Sequence, residues 1–211
     1  MKIAIYGTVG AGKTTLINYL KQNLPNSYKV FWEPITNNPY FEDSYSLDLE
    51  LAKAATYKSE IYMLSARYQQ FKESLKYENV IYDRGIMDTI TFVHCNYDNQ
   101  RINEVDWNVY SDYFENCVVP SIANNLQNTN GYDLVIYLKV TPETSIKRIV
   151  NRGIERELKV DKEFWKLLVK KYDYWYEKLK DKLPFLLIDG NIENPEIYVN
   201  KILKLIKKIA K

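Results

Sequence analysis

Apolar residues along the chain follow two rhythms. Five short runs, at 3–6, 28–32, 80–82, 134–138 and 185–188, are almost unbroken in apolar side chains, as strands are when a parallel sheet is covered on both faces. The longer segments between and after them carry apolar residues at helical spacing, which predicts helices over 13–23, 47–76, 106–125, 142–151, 162–182 and 195–210. Local signals support the cuts. Asn23 and Pro25 close the first helix, Thr141-Pro142 and Asn194-Pro195 place proline near the first turn of two others, and the Asn-Thr-Asn-Gly run at 128–131 reads as a surface loop. Strand and helix in regular alternation predict a doubly wound α/β domain on a five-stranded parallel sheet flanked by helices. There is no repeat and no low-complexity linker, so residues 1–211 are expected to form a single domain.

Two stripes invite functional readings and have plainer ones. Phe164, Trp165, Leu167, Leu168, Tyr172, Trp175, Tyr176 and Leu179 recur as the core-facing side of an amphipathic helix. The tail 201–211 interleaves Lys with Ile and Leu, as a solvated face on a packed helix does. Against 27 acidic residues the 29 Lys and Arg leave a net charge of +2, so no global field recruits a nucleic-acid polymer or an anionic membrane. No apolar run reaches membrane-spanning length, and Cys95 and Cys117 form neither a disulfide framework nor a metal-ligand spacing. The expectation is a cytoplasmic protein with reduced thiols and no room for a targeting segment ahead of residue 7.

The chemistry begins where the first strand stops. Gly7-Thr8-Val9-Gly10-Ala11-Gly12-Lys13-Thr14-Thr15 fits G-x-x-x-x-G-K-[ST] between a predicted strand and a predicted helix. Glycines let successive backbone N–H groups turn toward an anion, and the helix N-terminus adds its dipole. Lys13 can then reach the β- and γ-phosphates of a nucleoside triphosphate, and the Thr14 hydroxyl is placed to coordinate Mg²⁺. Parallel strands deliver other residues to the same sheet edge. Trp32-Glu33-Pro34 follows the second strand, with proline ending the ladder, and Asp83-Arg84-Gly85 follows the third. Late in the chain, Arg148, Arg152 and Arg156 surround Gly153 and run into Glu157. Such a cationic segment with a hinge suits closure on a triphosphate, because phosphoryl transfer is catalysed mainly by positioning and charge neutralisation.

Together, the phosphate loop, Trp32-Glu33-Pro34, Asp83-Arg84, the helix bearing Tyr62-Met63-Leu64 and Arg67, and the arginine segment ending at Glu157 resemble the deoxynucleoside kinase family, most of all the bacterial-type deoxyadenosine/deoxyguanosine kinases. The likeness spans nearly the whole chain. It implies a P-loop NTPase-like sheet of order 2-3-1-4-5 and a homodimer formed through the helices after strands two and three. It implies ATP as donor and a deoxyribonucleoside as acceptor. By the same resemblance Glu33 accepts the proton of the 5′-hydroxyl, with Asp83 as the competing base, and Asp83 holds Mg²⁺. Arg84 steadies the 5′-oxygen and the moving phosphoryl group, while Arg148, Arg152 and Arg156 form a lid over about 148–160. Glu157 and Tyr45 take the sugar 3′-hydroxyl, and Asp189-Gly190-Asn191 borders the adenine of ATP.

Three positions depart from the family pattern. Ile154 stands where a lid arginine follows Arg-Gly, Glu60 stands where a glutamine reads the base, and Thr89 stands where an acidic residue is usual, with Asp88 adjacent. The stretch between Tyr40 and Glu60 is also longer than in the nearest relatives. Glu60 and Arg67 lie two helical turns apart, one accepting hydrogen bonds and the other donating them. That pair suits a purine, guanine first, with N1–H and the amino group toward Glu60 and O6/N7 toward Arg67. A nucleoside monophosphate kinase, such as thymidylate kinase, is the competing reading. It shares the loop, an Asp-Arg motif and an arginine lid, but its acceptor needs cations where Trp-Glu-Pro supplies a carboxylate. A GTPase-type switch would need an Asn-Lys-x-Asp signature, which the chain lacks.

Overall fold

In the computed structural model, which describes residues 1–25, 27–124 and 130–209, five strands form one parallel sheet. They are β1 Lys2–Tyr6, β2 Tyr28–Phe31, β3 Asn79–Asp83, β4 Leu134–Lys139 and β5 Phe185–Asp189, in the order β2-β3-β1-β4-β5. The helices are α1 Lys13–Asn23, α2 Leu49–Ser74, α3 Asp88–Asp98, α4 Glu104–Tyr113, α5 Val119–Ile122, α6 Pro142–Arg152, α7 Glu155–Leu158, α8 Lys162–Leu179 and α9 Glu196–Ile209. Loop residues 128 and 129, helix end 125 and residues 210–211 fall outside the described residues.

Side-chain alternation along the strands sorts the core into two chemically different halves. On one face Ala4, Tyr6, Val80, Tyr82, Val135 and Tyr137 meet Trp165, Tyr172 and Trp175 of α8 together with α3 and α4. On the other, Ile3, Ile5, Ile81, Ile136 and Leu138 meet Leu16, Ile17 and Leu20 of α1 and Ile202 and Ile206 of α9. The predicted aromatic stripe of α8 is therefore core, and the apolar side of the basic tail is packed. Register does the rest. Ile5 pairs with Asp83, Tyr6 with Tyr137 and Phe31 with Tyr82, so the loops leaving β1, β2 and β3 emerge side by side.

Two predicted helices change, and one helix was not predicted. The helix over 106–125 becomes α4, a π-helical turn Phe114–Val118 and α5, with Pro120 at the first turn of α5. Proline has no N–H for the α-ladder, and a wider turn absorbs the mismatch. Helix α3 was missed because it is buried over most of its circumference, through Asp88, Thr89, Ile90, Thr91, Val93, Cys95 and Asn96. A helix enclosed in this way carries no single stripe, and Thr-Ile-Thr-Phe-Val has the composition of a strand. The helix predicted over 47–76 runs from Leu49 to Ser74, its start set by the Asp48 side chain, which caps the N–H groups of Glu50 and Leu51, and a 3-10 turn at Asp43–Tyr45 precedes it.

Candidate active site

The phosphate loop closes between β1 and α1. Gly10 has φ +75°, and a Cβ there would lie 2.6 Å from the Ser145 carbonyl oxygen, so glycine is required by both conformation and space. Helix α6 braces the loop from outside. The Ser145 hydroxyl donates to Val9 O at 2.8 Å, and Arg148 Nη1 donates to Ala11 O at 3.2 Å and Gly10 O at 3.4 Å. Lys13 is buried and folded back on the loop, donating to Thr8 O at 2.9 Å and Gly7 O at 3.1 Å. Burial, then the nearby Arg84 charge, brings its amine down to about 8 despite the carboxylates around it. Thr14 lines the cleft; Thr15 is exposed and does not.

Arg84 forms the floor. Its backbone adopts φ +73°, a left-handed conformation that is rare outside glycine and is held here by many contacts. Arg84 Nε lies 2.9 Å from Glu33 Oε1, and Nη1 lies 3.3 Å from Asp88 Oδ1 and 2.8 Å from Gly7 O. Nη1 also contacts the Tyr172 hydroxyl, which donates to Asp88 at 2.7 Å. Phe92 lies under the guanidinium at 4.9 Å. Arg67 Nη2 reaches the same Glu33 oxygen at 2.7 Å. Burial alone would raise the Glu33 carboxyl; Arg84, Arg67 and Lys13 together outweigh it and hold Glu33 below the usual carboxylate range. Glu33 is therefore an ionised acceptor between two guanidinium groups.

Glu33, Asp83, Arg84, Lys13, Thr14, Tyr45, Glu60, Arg67, Arg152, Arg156 and Glu157 all line one cleft of about 150 Å³. Asp83 Oδ1 is buried without a hydrogen-bond partner, an arrangement that fits a ligand to a cation in the cleft that Thr14 also lines. Among the described residues no cluster of three or more His, Cys, Asp and Glu could hold a metal by itself. That suits a Mg²⁺ bound largely through substrate phosphates. In the roof, Arg152 pairs with Glu157 at 2.5 Å, while Arg156 lies 3.8 Å from Glu42 and over the Phe41 ring at 5.4 Å. Gly153, at φ +69°, makes the bend between α6 and α7. Asp189, Gly190 and Asn191 form a tight turn beside the loop, with Asn191 Oδ1 accepting from Thr141 N at 2.9 Å.

Two expected substrate contacts are not in the cleft. Asp88 and Thr89 are fully buried at the start of α3 and do not line it. The Asp88 carboxylate is consumed by Arg84, Tyr172 and the Gly85 N–H at 2.9 Å, and Thr89 Oγ1 donates to Ile86 O at 2.7 Å. Glu60 and Arg67 share the cleft but not a contact, because Arg67 is drawn to Glu33. Sequence reasoning also missed the supporting residues. Tyr172 was legible only as core, and Asn96, which donates to Glu60 at 3.2 Å, sits on the unpredicted α3. Arg101, which donates to Ser44 O at 2.9 Å and so ties down the turn bearing Tyr45, lies in the unclassified stretch that follows.

A parallel sheet of this order with a phosphate loop after β1, acidic groups at the ends of β2 and β3 and arginines over the cleft defines a P-loop kinase. The chain belongs to the deoxynucleoside kinase family, whose model matches residues 3–211. It is 28% identical over 197 residues to a deoxyadenosine kinase of Lactobacillus acidophilus, covering 90% of this chain and 85% of that one. It is 28% identical over 220 residues to a deoxyguanosine kinase of the same organism, covering 99% and 92%. The structure of deoxyadenosine kinase from M. mycoides with products dCMP and a flexible dCDP superposes with a TM-score of 0.83 at 36% identity, covering 99% of this chain and 100% of that one. The protein is an ATP-dependent deoxynucleoside kinase, which decides the acceptor against a nucleoside monophosphate.

Proposed function

We propose that this single kinase domain moves the γ-phosphoryl group of ATP to the 5′-hydroxyl of a deoxyribonucleoside, purines favoured, in the cytoplasm. The observation that carries the assignment of roles is Glu33, an ionised carboxylate fixed at the junction of Arg84 and the phosphate loop. A neutral hydroxyl acceptor needs a base at that point, and an already phosphorylated acceptor would be repelled by it.

Glu33 accepts the proton from the 5′-hydroxyl as the oxygen attacks the γ-phosphorus. Arg84, whose fork is already oriented, stabilises charge on the transferring group without rearranging. Lys13 and the loop N–H groups hold the β-phosphate, and Arg148, Arg152 and Arg156 close from the lid. Tyr45 and Glu157, which line the same cleft, take the 3′-hydroxyl. Asp189, Gly190 and Asn191 border the adenine of the donor. Thr14 and Asp83 would hold Mg²⁺ together with the phosphates, where it would supply charge neutralisation for phosphoryl transfer. Asp83 remains the competing base. Glu33→Gln should lower kcat by about 10²-fold or more with ATP affinity nearly intact; unchanged turnover would move the base to Asp83.

A homodimer fits the surface. Val105, Val109 and Tyr113 expose one apolar face of α4, and Ile61 and Tyr68 expose another on α2. The two helices meet through the Tyr57–Tyr110 ring pair. Sedimentation should find twice the 25.0 kDa chain mass, and a monomer at micromolar concentration would retract the dimer.

A further inference from the structure

Along α2, Arg67 marks the reacting end of the cleft because it touches Glu33, and Glu60 lies seven residues earlier. Seven residues of helix span about 10 Å, a distance comparable to the length of a nucleoside. With the 5′-hydroxyl at Glu33, the far edge of the base therefore meets Glu60. Met63 and Phe92 supply apolar walls on the way.

Glu60 has no ion pair among the described residues, and Asn96, whose Nδ2 donates to Oε1 at 3.2 Å, is its only hydrogen-bond partner there. The surrounding charges are already committed. Arg67 and Arg84 are held by Glu33, and Arg152 by Glu157. Arg101 is turned to the Ser44 carbonyl. Tyr45, Cys95 and Tyr110 face the carboxyl from the 3-10 turn, α3 and α4. Burial, only partly offset by Arg67 and reinforced by Glu33, pushes Glu60 up to about 8. Both protonation states are thus reachable near neutrality.

The two states recognise different molecules. A carboxylate only accepts hydrogen bonds, whereas a carboxylic acid accepts at one oxygen and donates from the other. The Asn96 N–H assigns the accepting role to Oε1 and leaves the proton for Oε2. We infer that Glu60 selects the nucleobase edge through its own proton: the neutral acid takes the amino group and ring-nitrogen acceptor that adenine and cytosine share, and the carboxylate takes the adjacent N1–H and amino donors of guanine.

This inference rests on the nucleoside kinase reading. It makes base preference a function of pH in one enzyme. It also separates Glu60 from Arg67 as a base reader, since Arg67 is engaged at the opposite end of the cleft.

The test is the ratio of kcat/KM for deoxyadenosine to that for deoxyguanosine, measured at pH 6.5 and 8.5 with saturating ATP·Mg²⁺. Using a ratio cancels pH effects on the phosphoryl step common to both. For the free-enzyme titration of one group the ratio should fall by about 100-fold over two pH units. Glu60→Gln, a fixed donor and acceptor, should hold the ratio high and flat. Both nucleosides phosphorylated at a pH-independent ratio by the wild-type protein would overturn the inference whether or not the variant folds, and so would a folded Glu60→Gln enzyme that retains the wild-type pH response. Absence of product from every nucleoside would overturn the kinase reading and this inference with it.

Discussion

Arg84 in the floor of the cleft and Arg156 in its roof carry the same guanidinium group under opposite conditions. The Arg84 side chain is 4% exposed and sits among Glu33, Asp88, the Gly7 carbonyl, Tyr172 and Phe92. The Arg156 side chain is 35% exposed, and its ion partner Glu42, 3.8 Å away, is 78% exposed. A buried fork with every neighbour in place meets developing charge without reorganising. A surface pair is worth only about 0–1 kcal/mol and gives way readily to a phosphate. On the proposed mechanism the floor meets the transition state and the roof exchanges partners. The Arg152–Glu157 pair, at 2.5 Å with Glu157 only 12% exposed, lies between these extremes.

The largest effect should come from breaking the floor. Arg84→Lys keeps the charge but cannot span Glu33, Asp88 and Gly7 O together, and an ammonium does not reproduce the planar fork. The expected loss in kcat is about 10²–10³-fold with a modest change in KM for ATP. Steady-state kinetics that showed KM rising while kcat held would mean that Arg84 binds substrate rather than the transition state. Tyr172→Phe tests the layer beneath. It deletes one hydroxyl that accepts from Arg84 and donates to Asp88, so kcat should fall about tenfold with both KM values nearly constant. Chemical denaturation should show a loss of about 1.5–3 kcal/mol, because the bonds involve charged groups. A stability loss with unchanged kcat would reduce Tyr172 to packing.

The same division explains what could be read from the chain. Residues of the floor are tied to strand ends, and strand ends are marked by unbroken apolar runs. Glu33, Asp83 and Arg84 could therefore be brought to the phosphate-loop edge from their places at the ends of parallel strands, whereas the strand order came only from the family resemblance; the lengths of β1 to β5 were legible to within about a residue or two. Asp88 and Thr89 misled for the converse reason. They start a helix whose burial on most sides hides its period, and nothing local reveals that Asp88 faces inward to Arg84. Tyr172 was correctly placed in the core, but a stripe of aromatics does not say which hydroxyl finds a buried arginine. The engagement of Arg67 by Glu33 instead of Glu60 is a tertiary choice between two carboxylates. It depends on where β2 delivers Glu33, not on helical spacing.

Arg156→Ala gives the smallest effect and sharpens the contrast most directly. Removing this side chain loses an exposed ion pair with Glu42 and a cation–π contact with Phe41, each worth about 0.5–1 kcal/mol at most. Stability should be nearly unchanged. If the roof exchanges those contacts for ATP phosphates, KM for ATP should rise about threefold to tenfold at low ionic strength, and the gap from the wild-type protein should narrow in 0.5 M salt, where exposed charges are screened. Arg84→Lys should show no such narrowing, since Arg84 itself is buried. A salt-insensitive defect in Arg156→Ala would place Arg156 with the floor and remove the distinction between the two arginines.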